Sequence, residues 1–358
     1  MINRDISSNV IVIGTSPDGR GGIASVIAGQ KSMMEKFNFI KIHQNNFYKF
    51  LLPIIAFFKS FRYISPKYRI VHIHSASFSD FYRSSIFVFV NKLLRKKIIL
   101  HIHGAKFEEF YKSDKKYIDF VCNKADVIAT VSTYFADFFK RINQKNNVWL
   151  LPNFISDKLP DDLPDRRNRD SKIVFSYFGA LDNRKGIFDV IKAIGKYKHS
   201  FKDNIQLIVG GNGDTDKFFD LVNKENVEHI VKYVGWLDST AKDRLLRNSD
   251  VFIHPSSFES FGISILEAMS YQLPIITTTV GGIPDLVTNG FNGITVEPGN
   301  IDRIAEAIFT LIDNPSLRLK LGENSKLRAA EFTISKTEDR YRDLYSVLLQ
   351  TKSENEIH

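Results

Sequence analysis

Short runs of apolar residues, each ending in Gly, Pro or Ser and followed by a longer amphipathic stretch, recur along the whole chain. In the first half they are VIVIG (10–14), IVHIHS (70–75), IILHIHG (98–104), DVIATVS (126–132) and NVWLLP (147–152). In the second they are IVFSYFG (173–179), IQLIVGG (205–211), IVKYVG (230–235), DVFIHP (250–255) and PIITT (274–278). Nearly continuous apolar runs of this length fit strands buried on both faces, and their alternation with helical patterns predicts an α/β protein built on parallel sheets.

Between the two series lies SDKLPDDLPDRRNRDSK (156–172), rich in charge and proline and poor in apolar residues, which is a linker composition. The expected organisation is therefore a domain over 1–155, a linker over 156–171, a second domain over 172–335 and a closing amphipathic helix over 336–358 that packs back toward the first domain. The length of 358 residues suits two such domains. In open parallel sheets ligands bind beyond the carboxyl ends of the strands, so the residues just after each strand are the candidates for chemistry.

Composition narrows the picture only a little. Hydrophobic residues make up 43% and charged residues 25%, as in a soluble globular protein, and a single cysteine, Cys122, excludes an internal disulfide. The start MINRDISSNV lacks an apolar signal core, and the apolar runs 50–58 and 84–94 are too short to span a bilayer, so a cytoplasmic protein is expected. The net charge of +9 is uneven: residues 1–165 hold 24 Lys and Arg against 14 Asp and Glu, while the remainder is close to neutral. The basic, aromatic stretch 45–69 and NKLLRKK (91–97) suit peripheral contact with an anionic membrane, and a buried helix with a solvated edge explains them equally well. No nucleic-acid recognition module is present, so no nucleic acid partner is expected.

The most informative stretch is FESFGISILEAMSYQLPIITT (258–278). Gly262 falls at a helix start, where backbone amides lack intrahelical acceptors and form an anion site. Glu259 lies in the loop before it and Glu267 about a turn and a half inside. Either acid alone could be a helix-dipole partner. Together they suit a ligand that carries both a diphosphate and sugar hydroxyls.

ESFGISILE (259–267) resembles the E-x7-E element of retaining GT-B glycosyltransferases, and the similarity extends from GWL (235–237) through EAMSYQLPIITTTVGGIPDLVTNGFNGITVEPGN (267–300). The resemblance implies a GT-B fold, two Rossmann-like β/α/β domains facing across a cleft, with the nucleotide-sugar donor on the second domain and a saccharide or lipid-linked acceptor on the first. It further implies that Glu267 holds the ribose hydroxyls, that the amides of Phe261, Gly262 and Ile263 hold the diphosphate, and that Glu259 touches the donor sugar. Gly21 and Gly22, in GTSPDGRGGIASVI (14–27), match the family's Gly-Gly pair beside the donor phosphate, and the loop fits neither a dinucleotide fingerprint nor a P-loop. His103, in the second of two H-x-H pairs, resembles the family's active-site histidine, whereas His101 reads as a packing residue. Arg184 and Lys185, in the loop after the first strand of the second domain, would stabilise the leaving diphosphate. Here the chain departs from the family, which commonly has Arg where this sequence has Ala180.

Two metal readings are disfavoured. The H-x-H pairs His72/His74 and His101/His103 lack companion Cys or carboxylate ligands, and the D-x-D of Asp214 and Asp216 follows a Gly-rich turn at a helix start, where capping explains it. No metal and no cofactor are expected beyond a UDP- or GDP-linked sugar as substrate. The expectation is thus a retaining, metal-independent hexosyltransferase of surface polysaccharide or glycolipid synthesis. The rival readings are another enzyme on the same scaffold, such as an epimerase or a phosphorylase, and a nucleotide-sugar-binding scaffold without turnover.

Overall fold

The computed structural model describes residues 1–19, 21–43, 68–142, 147–164, 172–201 and 204–350. Most of the basic aromatic stretch 45–69, the linker segment 165–171 and the tail 351–358 lie outside the described residues. The chain forms two compact units, Met1–Ser156 together with Phe332–His358, and Asp157–Glu331.

The first unit contains α1 (Arg4–Ser7), β1 (Val10–Thr15), α2 (Gly22–Met33), β2 (Phe39–His43), β3 (Ile70–Ser75), α3 (Ser79–Leu93), β4 (Lys97–Ile102), α4 (Phe107–Ser113), α5 (Lys115–Cys122), β5 (Val127–Thr130), α6 (Thr133–Ile142) and β6 (Asn147–Leu150). The second contains β7 (Ile173–Leu181), α7 (Ile187–Phe201), β8 (Ile205–Gly213), α8 (Thr215–Glu225), β9 (Val231–Tyr233), α9 (Ser239–Arg247), β10 (Val251–His254), α10 (Ile263–Ser270), β11 (Ile275–Thr277), β12 (Gly293–Thr295), α11 (Ile301–Asp313) and α12 (Pro315–Ala329). After it, α13 (Ile334–Gln350) belongs to the first unit, where it packs on α1, α2 and β3.

Both sheets are six-stranded and parallel, in the orders β2-β1-β3-β4-β5-β6 and β12-β11-β10-β7-β8-β9. Every residue of β3 and of β10 is buried, as strands covered on both faces must be. The same small device starts a strand pair in each unit. Asp126, just before β5, accepts the amide of Ile98 at 2.9 Å, and Asp250, just before β10, accepts that of Val174 at 2.9 Å.

Two strands escaped the apolar-run reading. β2 is an edge strand whose residues FIKIH alternate in polarity, and β12 has only three residues. In both sheets the order in which successive strands are added reverses in the middle, between β1 and β3 and between β7 and β10, and such switch points leave room for a ligand beyond the strand ends.

Candidate functional site

In the second unit the segments leaving β7 and β10 are neighbours across the switch. β7 runs on through Ala180 to Leu181, and Asp182 then caps a short turn, Asn183–Lys185, by accepting the Lys185 amide at 2.9 Å. Gly186 follows with φ of 76°, and a Cβ there would lie 2.2 Å from the Pro255 carbonyl oxygen. Only glycine lets the loop after β7 pass this close to the loop after β10. That approach places the Lys185 ammonium on the Glu259 carboxylate in a mostly buried ion pair. Arg184 is held alongside, donating to the Phe258 carbonyl at 3.4 Å while its own carbonyl accepts the Ser257 amide at 2.8 Å.

Glu259 is 7% exposed. Burial works against its ionisation, but the Lys185 ammonium outweighs that and holds the carboxyl down at about 2. His254 is fully buried, stacked on Tyr177 at 5.1 Å, with Nε2 3.8 Å from the Glu259 carboxylate. That spacing is too long for a hydrogen bond. Burial, chiefly, lowers the His254 pKa and keeps the ring neutral. Among the described residues neither His254 nitrogen nor the buried Ser256 hydroxyl has a hydrogen-bond partner, and orphaned polar groups of this kind gather at functional sites.

Gly262 is the N-cap of α10, with φ of 101°, and no side chain caps the helix. The positive φ favours glycine here, and a Cβ at 262 would sit 3.2 Å from the Ile265 side chain. Glu267 projects from the second turn and pairs with Lys242 of α9, which also lies over the Phe178 ring at 5.6 Å. The sequence-predicted residues Arg184, Lys185, Glu259, Phe261, Gly262, Ile263 and Glu267 are thus all in this unit, around the switch of one sheet. Lys242, His254 and Tyr177 join them without having been anticipated. Asp214 of the D-x-D caps α8, accepting the Lys217 amide at 3.1 Å.

Gly21, Gly22 and His103 belong to the first unit. Gly21, with φ of 105°, is the N-cap of α2 and Gly22 its first residue. His103 follows β4 and its ring meets His74, from the end of β3, at 2.9 Å between Nε2 and Nδ1. His72 and His101 lie directly behind, their nitrogens 3.2 Å apart. Burial lowers all four imidazole pKa values, that of His103 to about 3, so the rings are neutral at pH 7. Ligand atoms of His72, His74 and His101 lie within 4.8 Å of one another, as a metal site would need. Hydrogen bonds to neighbouring rings, Gln30 and Tyr345 account for most of the same atoms.

Residues 161–328 match the family model described as glycosyl transferases group 1. Among curated relatives, the glycogen synthase of Mycobacterium tuberculosis is 30% identical over 42% of this chain and 36% of its own length. The capsular polysaccharide biosynthesis glycosyltransferase CapM of Staphylococcus aureus is 35% identical over 43% and 40%. The N-acetyl-alpha-D-glucosaminyl L-malate synthase of Bacillus anthracis is 25% identical over 67% and 64%. The chain therefore matches less than two thirds of the length of each of these relatives. Among solved structures, the sucrose-phosphate synthase of Thermosynechococcus elongatus superposes with a TM-score of 0.76 at 18% identity, covering 96% of this chain and 100% of that one. HepE of Anabaena in complex with UDP gives 0.77 at 16%, covering 95% and 100%.

Proposed function

We propose, from the match of residues 161–328 to the glycosyl transferases group 1 model and from the GT-B fold class, that the chain transfers a hexosyl unit from a nucleoside-diphosphate sugar to a saccharide or lipid-linked saccharide, with retention of configuration. The observation that carries the proposal is the pair of carboxylates around the uncapped start of α10, each bound to its own lysine: Glu259 to Lys185 and Glu267 to Lys242. The diphosphate docks on the amides of Phe261, Gly262 and Ile263, where a helix start favours negative charge. Glu267 accepts from the ribose hydroxyls. Lys185 and Arg184 take up the charge that develops on the leaving diphosphate as the glycosidic bond breaks, so the charge stabilisation comes from the chain itself. Glu259, ionised far below neutral pH, positions and polarises the donor sugar. The complex of HepE with UDP is in keeping with such a donor.

The first unit would take the acceptor, with His103, Gly21 and Gly22 as its candidate residues. It also offers a surface for an anionic bilayer. On α3 the side chains of Tyr82, Ile86 and Leu93 are exposed at helical spacing, Phe120 of α5, which meets Phe89 of α3, is 52% exposed, and Lys92, Arg95 and Lys116 are exposed on or next to the same two helices. Exposed apolar side chains with neighbouring cations suit peripheral binding. Among the described residues no helix is long and apolar enough to cross a membrane.

The test is incubation with a panel of UDP- and GDP-linked hexoses, following nucleotide release and the anomeric configuration of the product by NMR. Release of nucleotide diphosphate with an α-linked product from an α-linked donor supports the proposal. Interconversion of donor sugars without release would make the chain an epimerase, and saturable binding without turnover would make it a scaffold.

A further inference from the structure

The four histidines of the first unit form two hydrogen-bonded rows that start from a common pair, Gln30 of α2 and Tyr345 of α13. In one row Gln30 Oε1 lies 2.8 Å from His74 Nε2, and His74 Nδ1 lies 2.9 Å from His103 Nε2. In the other Tyr345 Oη lies 2.8 Å from His72 Nδ1, and His72 Nε2 lies 3.2 Å from His101 Nδ1. Gln30 Nε2 closes the head of the rows, 2.6 Å from Tyr345 Oη and 3.3 Å from His72 Nδ1. Gln30, His72 and His101 are wholly buried, His74 is 2% exposed, and only His103, at 8%, reaches outward.

A neutral imidazole carries one N–H and one lone pair, so each row can be protonated in only two ways. With the Gln30 carbonyl toward His74, His74 donates from Nε2 and accepts at Nδ1. His103 then donates from Nε2, and its Nδ1 is bare. In the second row the Gln30 amide donates to Tyr345, Tyr345 donates to His72 Nδ1, and His72 donates from Nε2 to His101 Nδ1, which leaves the N–H of His101 on Nε2. Turning the amide over reverses every one of these bonds and would leave His101 Nε2 as a buried lone pair and His103 with a hydrogen on Nδ1.

Amide oxygen and nitrogen are told apart by what they face, and the Gln30 side chain lies with Oε1 on His74 Nε2 and with Nε2 toward Tyr345 Oη and His72 Nδ1. The first arrangement follows, and all four rings carry hydrogen on Nε2.

We infer that Gln30 and Tyr345 are positioning residues that lock His74 and His103 in the Nε2–H form, so that His103 presents a bare Nδ1 as an acceptor for a ligand hydroxyl. The identity of that ligand as a sugar rests on the function proposed above; the protonation pattern does not. The consequence for recognition is that the hydroxyl meeting His103 must donate its hydrogen. A sugar carrying fluorine there, which can only accept, binds no better than the deoxy sugar.

The experiment is long-range ¹H–¹⁵N correlation on the full chain labelled at histidine, with a His103→Asn variant to assign the ring. The expected wild-type pattern is Nε2–H for His103 at neutral pH. In Gln30→Met the pattern is expected to become mixed, with an Nδ1–H signal appearing. In Tyr345→Phe, which frees the Gln30 amide without touching His74 or His103, the same change is expected at smaller amplitude. An Nδ1–H or doubly protonated His103 in the wild type overturns the inference, as does an unchanged pattern in Gln30→Met. Stoichiometric zinc retained by the purified wild-type chain overturns it too, since the nitrogens would then be ligands. None of these readings requires turnover, so a chain with the expected pattern that binds no nucleotide sugar counts against the proposed function alone.

Discussion

The two sheets solve the same topological problem with opposite electrostatics. At the switch between β7 and β10, charge is kept and paired: Lys185 with Glu259, Lys242 with Glu267. At the strand ends beside the switch between β1 and β3, charge is removed: His72, His74, His101 and His103 are buried as neutral rings joined by hydrogen bonds. A paired, movable set of ions can reorganise around an incoming diphosphate. A neutral row cannot offer charge, but it can fix which atom donates and which accepts, which is what discrimination among hydroxyls needs. The proposed reaction, with a charged leaving group and neutral sugars, would ask for these two kinds of site.

Acid is the sharpest way to break that comparison. A histidine whose folded pKa is depressed binds fewer protons folded than unfolded, so its contribution to stability is complete above the unfolded value of about 6.5 and is lost as pH falls. For His103, held at about 3, the loss at pH 5 is about 2 kcal/mol. The other three rings act in the same direction. In the second unit His254 adds such a loss, and Glu259, held at about 2, gives up its contribution as pH falls from the ordinary carboxylate value toward 2, so that little of it is lost at pH 5. Hydrogen exchange of the full chain at pH 7.5 and pH 5.0, corrected for intrinsic rates, is expected to show β3 and β4 losing protection well before β7 and β10. Equal loss in both sheets would mean that the histidines are not buried neutral.

Substitutions at the paired ions test the other side. Lys185→Met is expected to lower turnover by about 10²- to 10³-fold, the usual effect of removing one group aimed at developing charge. It also leaves Glu259 buried without its cation, which typically costs about 3–5 kcal/mol. In the double variant Lys185→Met, Glu259→Gln much of that stability is expected to return while turnover stays low, and chemical denaturation beside the transfer assay reads both. Glu267→Ala is expected to act on binding instead, weakening nucleotide affinity by roughly 10- to 100-fold, as for a hydrogen bond to a charged group, with kcat nearly held. Calorimetry with UDP and GDP measures it. A Glu267→Ala chain that binds normally but turns over slowly would exchange the roles given to the two glutamates.

How much of this was legible beforehand follows from the range of each interaction. The runs that became β3, β4, β7 and β10, the helix start at Gly262 and the spacing of Glu259 and Glu267 are local patterns, and they can be read within a dozen residues. The edge strand β2 was missed because its alternating polarity differs from the continuous apolar runs of the central strands. Lys242 reaches Glu267 from a different helix, 25 residues away, and Gln30 meets Tyr345 across 315. A lysine in an amphipathic helix and a glutamine on an apolar one carry no local mark of such partners. The H-x-H spacing did announce that two histidines share a face of each strand. What it left open, metal or hydrogen bonds, depends on side chains contributed by α2 and α13.

The smallest effect expected separates acids that serve the site from acids that only serve the fold. Asp214 follows β8, in a D-x-D that invites a metal reading, yet its carboxylate is spent on the Lys217 amide at the start of α8. Removing an N-cap side chain typically costs about 1 kcal/mol, and because the bond from the Asp214 amide to the Leu181 carbonyl, 2.9 Å, belongs to the backbone and survives the substitution, turnover should be unaffected. Asp214→Ala is therefore expected to lower the melting temperature by a few degrees and leave both kcat and its response to added manganese as in the wild type. Asp214→Asn, which can still accept the Lys217 amide, should recover most of the lost stability. If Asp214→Asn instead kept full stability but lost turnover that manganese had supported, the acid would be a ligand, and the strand ends of this sheet would hold a metal in addition to their paired ions.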